Sequence, residues 1–90
     1  MLSIKVQLYT KSDCPLCDAA KSVLQELGQE FPVEVEEIDI TTNIGMFNKY
    51  KTLIPVLKLD GKCLFVHRID AAALKRKLVW TSLRKRLAGN

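Results

Sequence analysis

The chain has 90 residues, 48% of them hydrophobic and 27% charged, which suits one small folded domain and excludes a disordered or low-complexity polypeptide. Three cysteines are too few, and odd in number, for a scaffold built from disulfides. The formal net charge is +4, and no nucleic-acid reading element or stacking platform accompanies it, so nucleic acid is not an expected partner.

Leu2 to Tyr9 alternates, with Leu2, Ile4, Val6 and Leu8 on one side and Ser3, Lys5 and Gln7 on the other. That period of two predicts a strand. The opening MLSIKVQLYT has no basic block followed by an apolar one, and no apolar run approaches the length of a membrane span. A soluble, cytoplasmic, monomeric protein with no membrane partner is therefore the expectation.

From Pro15 to Leu27 the spacing turns helical, with Leu16, Ala19, Ala20, Val23, Leu24 and Leu27 as one apolar stripe. Pro15 suits the first helical turn, and Gly28 stands where a left-handed cap is wanted. Val33 to Ile40 predicts a second strand, with a bulge where Glu37-Ile38 breaks the alternation. Two strands joined by such a helix form a βαβ unit with parallel strands.

Thr41-Thr42-Asn43 offers N-cap chemistry for a short helix ending near Tyr50. Val56–Leu59 and Cys63–Val66 flank Asp60-Gly61, a strong hairpin signal. Asp70 is placed to cap a last helix running to about Leu87. That helix carries Lys75, Arg76, Lys77, Arg84, Lys85 and Arg86 among Leu74, Leu78, Val79, Leu83 and Leu87, the pattern of a solvated basic face, with an attraction for acidic partners or anionic substrates left open beside it. Phe31, Phe47, Phe65 and Trp80 are expected as core or partly buried aromatics. The order β-α-β-α-β-β-α, without linker or repeat, gives one α/β domain over residues 1–90, a four-stranded mixed sheet flanked by helices.

The chemistry concentrates in YTKSDCPLC. Cys14 falls at the mouth of the first helix and Cys17 in its first turn, three residues on and on the same face. Free N–H groups and the positive end of a helix stabilise an anion, so a cysteine there favours its thiolate, the nucleophile of disulfide exchange. Cys14 is the expected attacker and Cys17 the expected resolver. Lys11 adds positive charge nearby, while Asp13 either opposes the thiolate or caps the helix. Two other readings stand beside this one. The cysteines could be small core residues. They could also join Cys63 and His67 as zinc ligands, although a strand would hold those two about 13 Å apart. Cys63 by itself reads as a packed sheet residue and His67 as a strand-end one.

YTKSDCPLCDAAKSVL, then EIDI, then IPVLKLDG resembles the glutaredoxin-like branch of the thioredoxin superfamily, closest to the small DUF836 group. The resemblance implies a thioredoxin-like fold, a dithiol thiol–disulfide oxidoreductase, and disulfide-containing proteins or small thiols as partners. It implies a cis bond at Ile54-Pro55, with the backbone there pairing with the bound partner. Lys11 matches a lysine that contacts glutathione, and Tyr9 an aromatic residue ending the first strand. The sequence departs from the family in KCLFVHRIDAAAL, where Phe65, Val66, His67 and Arg68 replace the Gly-Gly pair that helps hold glutathione. No bound cofactor is required, and glutathione is kept as one candidate reductant or co-substrate. Some glutaredoxins bridge an iron–sulfur cluster, but those usually carry a single cysteine in the motif.

Overall fold

Each change of hydrophobic period in the chain becomes a change of element. In the computed structural model, which describes residues 3–87, β1 (Ile4–Thr10), α1 (Pro15–Leu27) and β2 (Val33–Asp39) form the βαβ unit. A 3-10 turn (Ile40–Thr42) leads into α2 (Ile44–Tyr50), followed by β3 (Val56–Leu59), β4 (Lys62–Val66) and α3 (Ala71–Leu87). Leu2, expected to open the first strand, lies outside the described residues.

The sheet order is β2-β1-β3-β4. β1 pairs parallel with β2, from Ile4 opposite Val33 to Thr10 opposite Asp39, and antiparallel with β3, from Val6 opposite Leu59 to Tyr9 opposite Val56. β3 and β4 close an antiparallel hairpin through Asp60 (φ 49°) and Gly61 (φ 84°). Positive φ at both central residues is the requirement that makes Asp-Gly suitable there.

The strand alternation divides the interior in two. Ile4, Val6 and Leu8 join Leu57, Leu59, the α1 residues Ala20, Leu24 and Leu27, and the α3 residues Leu74 and Leu78 in the main core. Complete burial of a leucine or isoleucine side chain contributes about 2 kcal/mol, and Ile4, Leu8, Leu57, Leu74 and Leu78 are all fully buried. Tyr9 belongs to a second cluster with Cys17, Ile40, Tyr50, Ile54 and Val56, flanked by Met46 and Phe47 of α2. Among the described residues no helix is long and apolar enough to cross a membrane.

Several expectations are corrected. Gly28 caps α1 in right-handed geometry (φ −64°, ψ −17°), its N–H bonded to Leu24 at 2.9 Å. The chain leaves the helix by further tight turns, with Glu30 and Phe31 both bonding back to the Leu27 carbonyl. No bulge interrupts β2, whose register with β1 is continuous. Its apolar side changes because its cover changes: Val33 packs with the main core, Glu37 pairs with Lys21 of α1 at 2.8 Å, and Ile38 packs with the second cluster. The irregularity is instead at Leu57/Lys58, where β4 carries Leu64 as an extra residue.

Leu16 is 42% exposed, because Cys17, Ala20, Leu24 and Leu27 form the buried line of α1. Trp80 is 66% exposed, since α3 turns Leu74, Leu78 and Thr81 inward and Trp80 points away from that line. Phe31, Phe47 and Phe65 are partly buried, as expected.

Candidate functional site

Three loops meet at the C-terminal end of β1. The first joins β1 to α1 and carries Lys11, Asp13 and Cys14. Cys14 takes extended backbone (φ −120°, ψ 99°) as the N-cap of α1, with Pro15 as the first helical residue. The helix starts there because proline supplies a suitable φ and has no N–H to leave unpaired. The cap is Cys14 itself: its Sγ accepts the Cys17 N–H at 3.2 Å. Asp13 sits just outside in left-handed backbone (φ 57°), a conformation aspartate tolerates.

Cys14 and Cys17 are joined as a disulfide, their Cα atoms 5.2 Å apart. Cys14 is half-buried, whereas Cys17 has no exposed surface. One sulfur thus faces the outside and the other the second cluster.

The Leu53–Pro55 loop supplies the opposite wall. The Ile54-Pro55 bond is cis, Pro55 is fully buried, and Ile54 packs in the cluster that contains Cys17. The Ile54 N–H donates to the Tyr50 carbonyl at 3.1 Å. His67, at the end of β4, fastens the third loop by donating its N–H to the carbonyls of Leu53 (3.0 Å) and Pro55 (2.9 Å). His67 and Arg68 then line a shallow cavity of about 240 Å³ against Leu16, Ala19 and Val23 of α1. The stretch that lacks the glycine pair therefore forms one wall of a groove beginning at Leu16, between the two cysteines. Lys11 is half-buried immediately after β1.

Tyr9 is not an open surface. It is buried and stacks on Tyr50 with ring centroids 4.5 Å apart. The Lys58 ammonium donates to the Tyr50 hydroxyl at 3.0 Å and lies 4.9 Å from the Tyr9 ring centre. That hydrogen bond raises the Lys58 pKa against the opposing effect of burial, and it lowers that of Tyr50. This Tyr9–Tyr50–Lys58 cluster was not anticipated. Its signal was present in Val56-Leu57-Lys58-Leu59, where Lys58 alternates to the face away from the main core.

The residues weighed as zinc ligands are not brought together. Cys63 is a free, exposed thiol on β4 opposite Lys58, not a packed sheet residue. The bulge at Leu64 removes the parity that would have aligned it with His67, which lies beyond the strand in left-handed backbone (φ 67°). Among the described residues no group of three or more His, Cys, Asp or Glu side chains is placed to hold a metal.

A parallel βαβ unit, a hairpin entered through a cis-proline, and a Cys-x-x-Cys pair at the start of the first helix define a thioredoxin-like protein. Residues 5–79 match the glutaredoxin-like domain family (DUF836), and the chain belongs to that family. It is 39% identical over 74 residues to a glutaredoxin-like protein of Dictyostelium discoideum, covering 76% of this chain and 68% of that one. It is 34% identical over 90 residues to a thioredoxin of Methanocaldococcus jannaschii, covering 97% of this chain and all of that one. The fold resembles that of mitochondrial thioredoxin 3 of Saccharomyces cerevisiae, with a TM-score of 0.61, 18% identity, and coverage of 83% and 76%.

Proposed function

We propose that the protein is a dithiol thiol–disulfide oxidoreductase acting on disulfide-containing proteins or small-thiol disulfides. The observation that carries this reading is the pairing of an accessible Cys14, whose sulfur accepts the Cys17 N–H at 3.2 Å, with a fully buried Cys17. A hydrogen bond and the helix N-terminus both favour negative charge on Cys14, and burial protects Cys17 from external attack.

In the cycle, the Cys14 thiolate attacks one sulfur of the partner disulfide. A Cys14–partner mixed disulfide forms, and the other partner sulfur leaves as a thiolate. Cys17 then loses its proton and attacks Cys14 Sγ, releasing the second partner thiolate and closing the Cys14–Cys17 bond. Two electrons pass to the partner, whose sulfurs take up two protons. A dithiol protein or two molecules of glutathione reverse the sequence and reset the pair, with a reducing compartment such as the cytoplasm as the setting.

Ile54, which packs in the cluster that holds Cys17, and the cis Pro55 orient the partner. Because the Ile54 N–H is already bonded to Tyr50, the pairing runs through the Ile54 carbonyl. Lys11 draws anionic groups toward Cys14, and Tyr9 packs in the cluster that buries Cys17.

The reading is tested by following reduction of a disulfide-bonded peptide and of a glutathionylated peptide in a single turnover, with pre-reduced protein freed of external thiol. Cys14→Ser is expected to abolish turnover of both. Cys17→Ser is expected to lose the peptide disulfide, and Cys63→Ser to retain both. Full activity in both Cys14→Ser and Cys17→Ser would overturn this mechanism, whereas no turnover by the parent protein would leave a non-catalytic thioredoxin-like module as the better account.

A further inference from the structure

A helix that covers one face of a sheet ordinarily presents apolar residues inward and polar ones outward. α3 does not follow that rule. Leu74, Leu78 and Thr81 face the core. At helical spacing, Ala72, Val79, Leu83 and Leu87 fall on the opposite side with Trp80 beside them. Val79 is 41% exposed, Leu83 43%, Trp80 66% and Leu87 85%. Apolar residues therefore occupy both sides of a helix about 25 Å long.

The outer strip is bordered by cations. Lys75 and Arg86 lie along one edge and Lys77 and Arg84 along the other, while Arg76 sits within the strip. Ala71–Leu87 contains no Asp or Glu. Lys75 pairs with Glu30 at 3.2 Å and Lys85 with Asp60 at 3.6 Å. Among the described residues Arg76, Lys77, Arg84 and Arg86 have no acidic partner. Ala72, being small, leaves a depression of about 380 Å³ bounded by Lys75, Arg76, Val79 and Trp80.

We propose that this face of α3 is a docking surface for an acidic amphipathic helix of a partner protein. The partner's apolar edge lies along Val79, Trp80 and Leu83, and its carboxylates meet Arg76, Arg84 and Arg86. Charge selects this occupant over the others. Two copies paired through α3 would oppose cation to cation, an unfavourable like-charge contact. An anionic membrane would accept the flanking cations, but Arg76 within the strip would be carried toward hydrocarbon, where an arginine is expensive. A protein carboxylate satisfies Arg76 through paired hydrogen bonds. Exposed Trp and Arg together are also the residue types that concentrate binding energy at protein interfaces.

The site does not depend on the proposed redox role. α3 begins beside the loop fastened to Leu53 and Pro55, and runs toward the Asp60-Gly61 turn at the other end of the sheet. A partner held along Arg76–Leu87 lies on α3, an element separate from the β1–α1 loop that carries Cys14.

The test uses a synthetic fluorescein-labelled peptide of about five helical turns, with leucines at i, i+3, i+4 and i+7 and glutamates at the flanks. A matched peptide carries lysine in place of every glutamate. Saturable binding of the glutamate peptide by fluorescence anisotropy is expected, with a blue shift of Trp80, the only tryptophan in the chain. Trp80→Ala and Arg76→Glu, shown folded by circular dichroism, should each weaken binding at least about tenfold. The proposal is overturned if the glutamate peptide does not saturate, or if the lysine peptide binds equally. It is also overturned if Trp80 shifts only on phosphatidylglycerol vesicles, or if sedimentation shows a dimer that both variants dissociate.

Discussion

The Lys58 ammonium donates to the Tyr50 hydroxyl at 3.0 Å, across the ring of Tyr9, within reach of the cluster that buries Cys17. The hydrogen bond stabilises phenolate more than phenol, so Tyr50 titrates below its ordinary value of 10.0. In Lys58→Met the hydrogen bond and the nearby charge are both lost while burial remains. Tyr50 is then expected to titrate at higher pH than in the parent protein, read from ultraviolet absorbance during alkaline titration. An unchanged midpoint would mean that Lys58 does not govern the tyrosine.

Asp39 ends β2 and holds the following 3-10 turn. Its carboxylate accepts the Thr41 hydroxyl at 2.6 Å and the Thr41 N–H at 2.9 Å. Both bonds favour the charged form, with the hydroxyl contributing more, and keep Asp39 below its ordinary 3.8. The stabilisation is therefore complete above pH 3.8 and is lost as pH falls through the lower folded-state value. Thr41→Val should return the Asp39 midpoint toward 3.8, as followed by carboxyl carbon chemical shifts.

Leu8 lies at the centre of β1, fully buried between Glu37 of β2 and Leu57 of β3. Leu8→Ala removes side-chain contacts in the middle of the main core and should cost about 3 kcal/mol in urea denaturation. That is a large share of the stability of a domain this size. A cost below about 1 kcal/mol would mean the core relaxes to fill the space.

Gly61 turns the β3–β4 hairpin at φ 84°, and a Cβ added there meets no atom within 4 Å. Gly61→Ala therefore isolates the backbone penalty from any clash. The expected loss is about 1 kcal/mol with no change in the folded-state spectrum.

The element order was legible because each segment repeats its period long enough to declare itself: two in Ile4–Leu8, three to four in Cys17–Leu27. Asp60-Gly61, Asn43 and Asp70 mark their turn and caps through local chemistry, and all three act as that chemistry requires. Gly28 was misread because glycine permits left-handed backbone without demanding it. The bulge was misplaced because a change of apolar face on β2 looks in sequence like a change of register, although it reflects α1 giving way to the second cluster. Trp80 was misjudged because apolar residues on both sides of α3 give no single stripe to follow. The Tyr9–Tyr50–Lys58 contact joins residues 41 and 8 apart in sequence; the alternation of Val56–Leu59 marks the face Lys58 takes but not which residues it meets there.

The central claim is that Cys14 attacks and Cys17 resolves. Reduced Cys17→Ser protein, mixed with a disulfide-bonded peptide and quenched in acid, should accumulate a stable adduct by intact-mass spectrometry. Digestion should locate the peptide on Cys14, while Cys14→Ser should form no adduct at Cys17 on the same timescale. An adduct on Cys17 in the Cys14→Ser protein, or on Cys63 in both variants with none on Cys14, would contradict the account.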